Sequence, residues 1–161
     1  IIQYLFGLAP LSVQANGCDH FGKGQENTAY VTIHYGNGFI AHVNINWLSP
    51  VKIRQVLVGG SRKMIVYDDI ESDCKVKVYD RGVSVDTPVD RRQALISYRM
   101  GDMFAPKLDM QEPLSLVCRD FLAGIREGCA MVSDGMLGRD VVRILEAAEM
   151  SLRNGGKVVA L

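Results

Sequence analysis

The side chains of this chain that could do chemistry are three histidines, four cysteines and a run of acids, and their spacing decides what they can form. His34 and His42 flank a turn at Gly36-Asn37-Gly38. A hairpin with a three-residue loop makes them diagonal neighbours on one face, about 7 to 8 Å apart. A shared metal needs further ligands, and the hairpin adds only Asn44 and Asn46 to that face. Amides are poor ligands for zinc or iron, so no metal site is expected. His20 follows Cys18 and Asp19 in no recognisable catalytic spacing. Cys18, Cys74, Cys118 and Cys129 are scattered without a CxxC pair, which excludes zinc-ribbon and thioredoxin readings. Reduced thiols in a cytoplasmic protein are the expectation. There is no GxSxG elbow. Asp68, Asp69, Glu71 and Asp73 read as a solvated turn rather than a carboxylate pair or a calcium loop. Gly59-Gly60-Ser61 is followed by strand-like MIVYDD instead of a helix, so it reads as a plain turn and not a phosphate cradle. Nor does any GxGxxG follow a strand, so a dinucleotide-binding unit is missing. No catalytic set is complete.

The elements that must position these residues show two periods. From Leu11 to Tyr79 apolar residues recur every second position between close turn signals, which predicts an antiparallel meander. In its clearest hairpin, a two-residue turn would mix apolar and polar residues on each face. A three-residue loop instead sets Phe39, Ala41, Val43 and Ile45 against Tyr35, Ile33, Val31 and Ala29, leaving Thr32, His34, His42, Asn44 and Asn46 on the other side. This register requires Gly38 in the left-handed conformation. Lys52 to Val58 and Met64 to Tyr67 form a second hairpin, and Lys75 to Tyr79 a further strand. Between Asp80 and Gln111 the pattern dissolves, apart from ALISYR at 94–99. That stretch is either an extended arm reaching over the surface, even to another subunit, or a disordered loop.

The last section is helical. Leu114, Val117, Cys118, Phe121, Leu122 and Ile125 mark one amphipathic helix, entered through Pro113 and closed by Gly128. Val141, Leu145, Ala148 and Leu152 predict the apolar stripe of a second, capped by Ser133 or Asp134 and terminated by left-handed Gly155. The opening IIQYLFG reads as part of a helix interrupted where the sequence begins; it is too short to span a membrane and lacks the basic front of a signal peptide. The fold class is therefore α+β, a largely antiparallel open-faced sheet with helices packed on one face. One domain over 1–161 is the natural count. With 18 basic and 18 acidic residues the formal charge is zero, which disfavours nucleic acid and anionic membranes as partners.

Several words of the sequence then carry a resemblance. EPL at 112–114, Phe121, Ile125, Gly128, SDG at 133–135, Gly138, VVRILEAAEMSL and the closing double glycine resemble the C-terminal signature of the Gfo/Idh/MocA oxidoreductases. Ala41 to Trp47, SPVKIRQVLVGGSRKMIVYDD at 49–69 and YRMGD at 98–102 are similar to the branch acting on nucleotide-linked sugars, of the UDP-N-acetylglucosamine 3-dehydrogenase type. The resemblance implies a dihydrodipicolinate-reductase-like C-terminal domain that lines a substrate cleft and builds a homo-oligomer through its open sheet face. Its partner would be an N-terminal Rossmann domain, absent from this chain, binding NAD or NADP. The family's glycine-rich loop, its EKP lysine and its DxxxH acid–base motif would all lie upstream of Ile1. The resemblance thus implies no catalytic, cofactor-binding or metal-binding residue here, and an inactive fragment of an active enzyme. Candidate contacts to a sugar or nucleotide sugar are Asn46, Lys52, Arg54, Tyr98 and Arg99, since cations suit a diphosphate and tyrosine stacks on rings. The alternative is a domain that only assembles and binds no ligand by itself. A stand-alone binding module would need a closed apolar pocket.

Overall fold

The computed structural model describes residues 1–80, 82–85, 96–99, 101–109 and 111–161, with 82–85 and 96–99 described by their backbone. In chain order the elements are helix α1 (Ile2–Phe6), then strands β1 (Pro10–Cys18), β2 (Thr28–Tyr35), β3 (Ile40–Asn46), β4 (Gln55–Gly59), β5 (Met64–Asp68) and β6 (Val76–Tyr79). There follow β7 (Gly82–Val85), β8 (Ile96–Arg99), β9 (Met103–Phe104), helices α2 (Pro113–Glu127) and α3 (Gly135–Arg153), and β10 (Val159–Ala160). All described strand pairs are antiparallel. The chain is α+β, as its pattern predicts. It divides into two units: Ile1–Ser49 with Glu112–Leu161, and Pro50–Gln111.

The first unit is a sheet of order β10-β1-β2-β3 backed by α3. Its hairpin adopts the expected register, with Ala29 opposite Ile45, Val31 opposite Val43 and Ile33 opposite Ala41. The loop is three residues long, closed by Tyr35 N–H donating to the Phe39 carbonyl at 2.9 Å. Gly38 is left-handed as anticipated (φ 74°), and so is Asn37 (φ 59°), a residue that tolerates this region. Val13, Ala15, Ile33, Tyr35 and Ala41 form the buried face. Each large member contributes about 1.5–3 kcal/mol through removal from water. Phe39 closes one end against Phe6 and Tyr35, at ring-centroid distances of 4.6 and 5.2 Å.

Helix α3 packs on this face by only part of the expected stripe, Ala148 and Leu152, joined by residues outside it. Ile144, Ala147, Ala148 and Ser151 are buried and Leu152 is half-buried, whereas Val141 and Leu145 are exposed. Small side chains win because they let the helix approach the strands closely. A Cβ on Gly17 of β1 would stand 2.9 Å from Leu152 Cδ2. Ser151 Oγ accepts from Ala15 N–H at 2.9 Å and donates to the Lys157 carbonyl at 2.6 Å. The helix starts at Asp134, whose carboxylate accepts from Leu137 N–H at 2.8 Å, and is followed by left-handed Gly155 (φ 67°). Helix α2 is capped by Glu112 and closed by Gly128 (φ 66°), yet none of its residues is buried. Its stripe of Leu114, Val117, Phe121 and Ile125 faces solvent.

The second unit is a sheet of order β4-β5-β6-β9 with a separate β7–β8 ribbon. Strand β4 begins at Gln55, so Lys52, Ile53 and Arg54 precede it rather than lying within it. The glycine turn closes with Gly60 N–H donating to the Lys63 carbonyl at 3.0 Å. Within 80–111 the described residues hold the short strands β7, β8 and β9. Strands this short offer too few alternations to be read. The course of the proposed arm through 86–95 lies outside the described residues.

Candidate functional site

A polar cluster sits where β4 begins and β5 ends. Their pairing sets Gln55 opposite Asp68, and Gln55 Nε2 donates to Asp68 Oδ2 at 2.7 Å while Ile70 N–H donates to Oδ1 at 3.0 Å. The amide donor and then the backbone N–H hold the Asp68 carboxyl below its ordinary pKa. The adjacent Asp69 accepts from the Tyr67 hydroxyl at 2.9 Å and meets Arg54 at 3.5 Å and Lys75 at 3.6 Å. The tyrosine hydrogen bond above all, aided by Lys75 and Arg54, depresses its pKa against an opposing desolvation. Reciprocally, that hydrogen bond raises the Tyr67 phenol. Lys77 pairs with Glu71 at 3.6 Å. Asp68, Asp69 and Glu71 thus lie in the solvated turn expected and are held there by a hub of hydrogen bonds and ion pairs. The signal that could have found it is the hairpin register, which puts Gln55 across from Asp68.

Beside the hub lies an open cleft of about 300 Å³ between Lys52, Ile53, Gln55, Asp68, Ile70 and Glu71. Lys52 thus stands over a concave polar surface. Arg54 points its guanidinium at Asp69, an exposed, solvent-screened pair that a competing anion could displace. In the ribbon, Tyr98 pairs with Val83 and Arg99 with Gly82. These four candidates fall in the second unit, and Asn46 in the first. Asn46 ends β3, where its Oδ1 accepts from Leu48 N–H at 2.7 Å. The next residue, Trp47, is 84% exposed although its backbone N–H is fixed to the Asn27 carbonyl at 2.9 Å. Sequence reasoning passed over this tryptophan.

The histidines stay on the surface of the first sheet. His42 Nδ1 lies 3.1 Å from Thr32 Oγ1, its cross-strand neighbour. Among the described residues no three of His, Cys, Asp and Glu gather as a metal site would require. The four cysteines are free thiols. A nicotinamide dinucleotide does not fit the residues present, because its pyrophosphate binds where a parallel strand feeds a helix N-terminus, and the described sheets are wholly antiparallel. No helix is long and apolar enough to cross a membrane among the described residues.

The described residues thus form an antiparallel sheet backed by a late helix, beside a second antiparallel sheet that carries the polar cluster. Residues 1–161 match the family model described as "Oxidoreductase family, C-terminal alpha/beta domain", so the chain belongs to the Gfo/Idh/MocA oxidoreductases as their C-terminal domain. Among solved structures it is similar to UDP-N-acetylglucosamine 3-dehydrogenase GnnA from Acidithiobacillus ferrooxidans, with a TM-score of 0.75 and 17% identity over 95% of this chain and 43% of that one. It is also similar to the aldose-aldose oxidoreductase from Caulobacter crescentus complexed with glycerol, with a TM-score of 0.72 and 17% identity over 99% and 44%. A third is GenD2 from gentamicin A biosynthesis in complex with NAD, with a TM-score of 0.67 and 21% identity over 98% and 43%. These likenesses establish the fold. The chain spans less than half the length of each. No curated protein matches it in sequence.

Proposed function

We propose that this chain supplies the substrate wall and assembly surface of a cytoplasmic NAD(P)-dependent oxidoreductase acting on the hydroxyl of a sugar or nucleotide sugar. The observation that carries this reading is the family match along the whole chain, beside similar structures more than twice as long, two of them named for sugar chemistry. A Rossmann domain elsewhere in the protein would bring the cofactor and the acid–base groups. This domain, read as 1–161 in one piece, would hold the sugar. Fixing a substrate in near-attack geometry is worth about 7–11 kcal/mol in the best intramolecular cases, so a domain without a catalytic residue still governs rate. Lys52 over the cleft and Arg54 beside it suit a diphosphate, with Asn46, Tyr98 and Arg99 as further contacts.

Calorimetric titration of the chain with UDP-sugars and with NAD(P) tests it. Binding of a UDP-sugar that weakens in Lys52→Ala, with no response to NAD(P), supports the substrate-wall reading. A stable dimer indifferent to every nucleotide sugar would leave assembly alone. That second reading is favoured by one observation: the apolar stripe of α2 is uncovered, and exposed stripes of this kind mark interaction surfaces.

A further inference from the structure

The walls of the cleft beside the Gln55–Asp68 pair decide which part of a ligand it suits. Its charged residues are Lys52, Asp68 and Glu71, one cation against two carboxylates. Glu71 is paired with Lys77 at 3.6 Å, so the charges of the region cancel and no positive field remains to draw a phosphate. Arg54 is engaged with Asp69 and is not one of the walls. A doubly negative diphosphate seated in the cleft would lie against two carboxylates, and like charges at close range cost binding.

The remaining surface is amphipathic. Gln55 and Asp68 face each other across β4 and β5, and their 2.7 Å bond uses one of the two amide N–H groups of Gln55. Asp68 also accepts from the Ile70 and Glu71 N–H groups. A carboxylate has about four acceptor sites and an amide carbonyl two lone pairs, so the pair retains capacity for hydroxyls. In the same cleft Ile53 is 69% exposed and Ile70 48% exposed, which supplies apolar surface beside the polar floor. A sugar ring matches both halves, with its hydroxyl edge for the pair and its C–H face for the isoleucines. The volume of about 300 Å³ stands at the small end of ligand pockets, room for one ring rather than for a whole nucleotide sugar.

We infer that this cleft seats the sugar ring itself and not a diphosphate, with Gln55 and Asp68 as specificity-determining residues, so that a sugar without a nucleotide is enough to be recognised. The inference rests on the substrate-wall reading proposed above and narrows it. Asp68 accepts from a ring hydroxyl and repels phosphate, which is discrimination by attraction and repulsion together. The Lys52 ammonium, with three donors, serves a further hydroxyl of the ring.

Saturation-transfer NMR and calorimetric titration of the chain with the methyl glycosides of glucose, galactose and mannose, with UDP-glucose and with UDP test this. At least one glycoside should bind, and UDP should not. Gln55→Ala and Asp68→Asn, each shown by circular dichroism to keep the parent fold, should weaken glycoside binding by about fivefold or more, the size that a lost hydrogen bond produces. UDP that binds as tightly as UDP-glucose and is released by Lys52→Ala puts the diphosphate in the cleft, which overturns the inference and leaves the substrate wall standing. Binding of UDP-glucose without binding of any glycoside has the same meaning. Glycoside binding indifferent to both variants places the ring elsewhere and also overturns the inference alone. A chain that responds to neither the glycosides nor UDP-glucose overturns the substrate-wall reading itself.

Discussion

Ser151→Ala is the sharpest probe of how this fold is held. Ser151 is fully buried, and β10 begins only at Val159, pairing with Ser12 and Val13 of β1. The Ala15 N–H, which lies past the start of β10, is met by the Ser151 hydroxyl, which also donates to the Lys157 carbonyl. Alanine removes one oxygen and leaves both backbone groups without this partner. An unpaired buried donor costs about 1–3 kcal/mol, and the partly buried carbonyl about 1 more, so about 2–4 kcal/mol is expected. At about 2–4 °C per kcal/mol for a chain of this length, Tm should fall by about 4 °C at the low end and more than 10 °C at the high end. The assay is thermal unfolding followed by circular dichroism, with Ser115→Ala on the exposed α2 as control. A Ser151→Ala protein melting within about 1 °C of the parent would refute the reasoning, because no arrangement of two buried unpaired groups is that cheap.

Gly156→Ala should destabilise by about 2 kcal/mol or more in urea unfolding, since φ is +80° and the new Cβ would fall on the Asn16 side chain; Asn16→Ala should restore part of the loss. Asp68 and Asp69 have depressed pKa values in the folded state, so their contribution is present above the unfolded value near 3.9 and lost as pH falls through the folded one. Urea midpoints taken from about pH 6 down to about pH 3 should decline less steeply in Asp69→Asn than in the parent, and parallel profiles would contradict the hub. Asp134→Ala should cost about 1 kcal/mol through loss of the α3 cap, read from the same unfolding curves. The uncovered α2 stripe should bind a dye such as ANS, with Phe121→Ser lowering the fluorescence at unchanged Tm.

The β2–β3 hairpin was legible because only one register gives an unmixed apolar face. The α2 start was legible because Pro113 suits a first turn, the α3 start because Ser133 or Asp134 can cap it, and the helix ends because left-handed glycines are local signals. The Glu112 cap was not read. The α3 stripe was legible only in part, at Ala148 and Leu152. Val141 and Leu145 outweigh Ala147, Ala148 and Ser151 in any count of hydrophobicity, yet close approach to β1 rewards small volume and a hydroxyl that can satisfy two backbone groups. The strands within 80–111 were too short to show a period. Of the candidate contacts, residue type suggested them but only tertiary pairing reveals that Arg54 is engaged with Asp69 while Lys52 borders a cleft. The pairs Gln55 with Asp68 and Arg54 with Asp69 depend on strand registry around a turn whose loop length the residues leave open.

The order of the units along the chain has a consequence for synthesis. Residues 50–111 lie between the two halves of the first unit, and Val159–Ala160 pairs with Ser12 and Val13. A ribosome adding about 5–20 residues per second needs some 7–30 s to travel from β1 to β10. For about the last third of that interval, once residue 111 is made, the second unit has every residue it needs. Strand β1 meanwhile waits with one flank unpaired and its apolar face without a completed α3. The nascent protein is thus an intact inner unit carried by an unfinished outer one, and a ribosome stalled before α3 would expose Val13, Ile33 and Tyr35 to whatever strand or chaperone reaches them first.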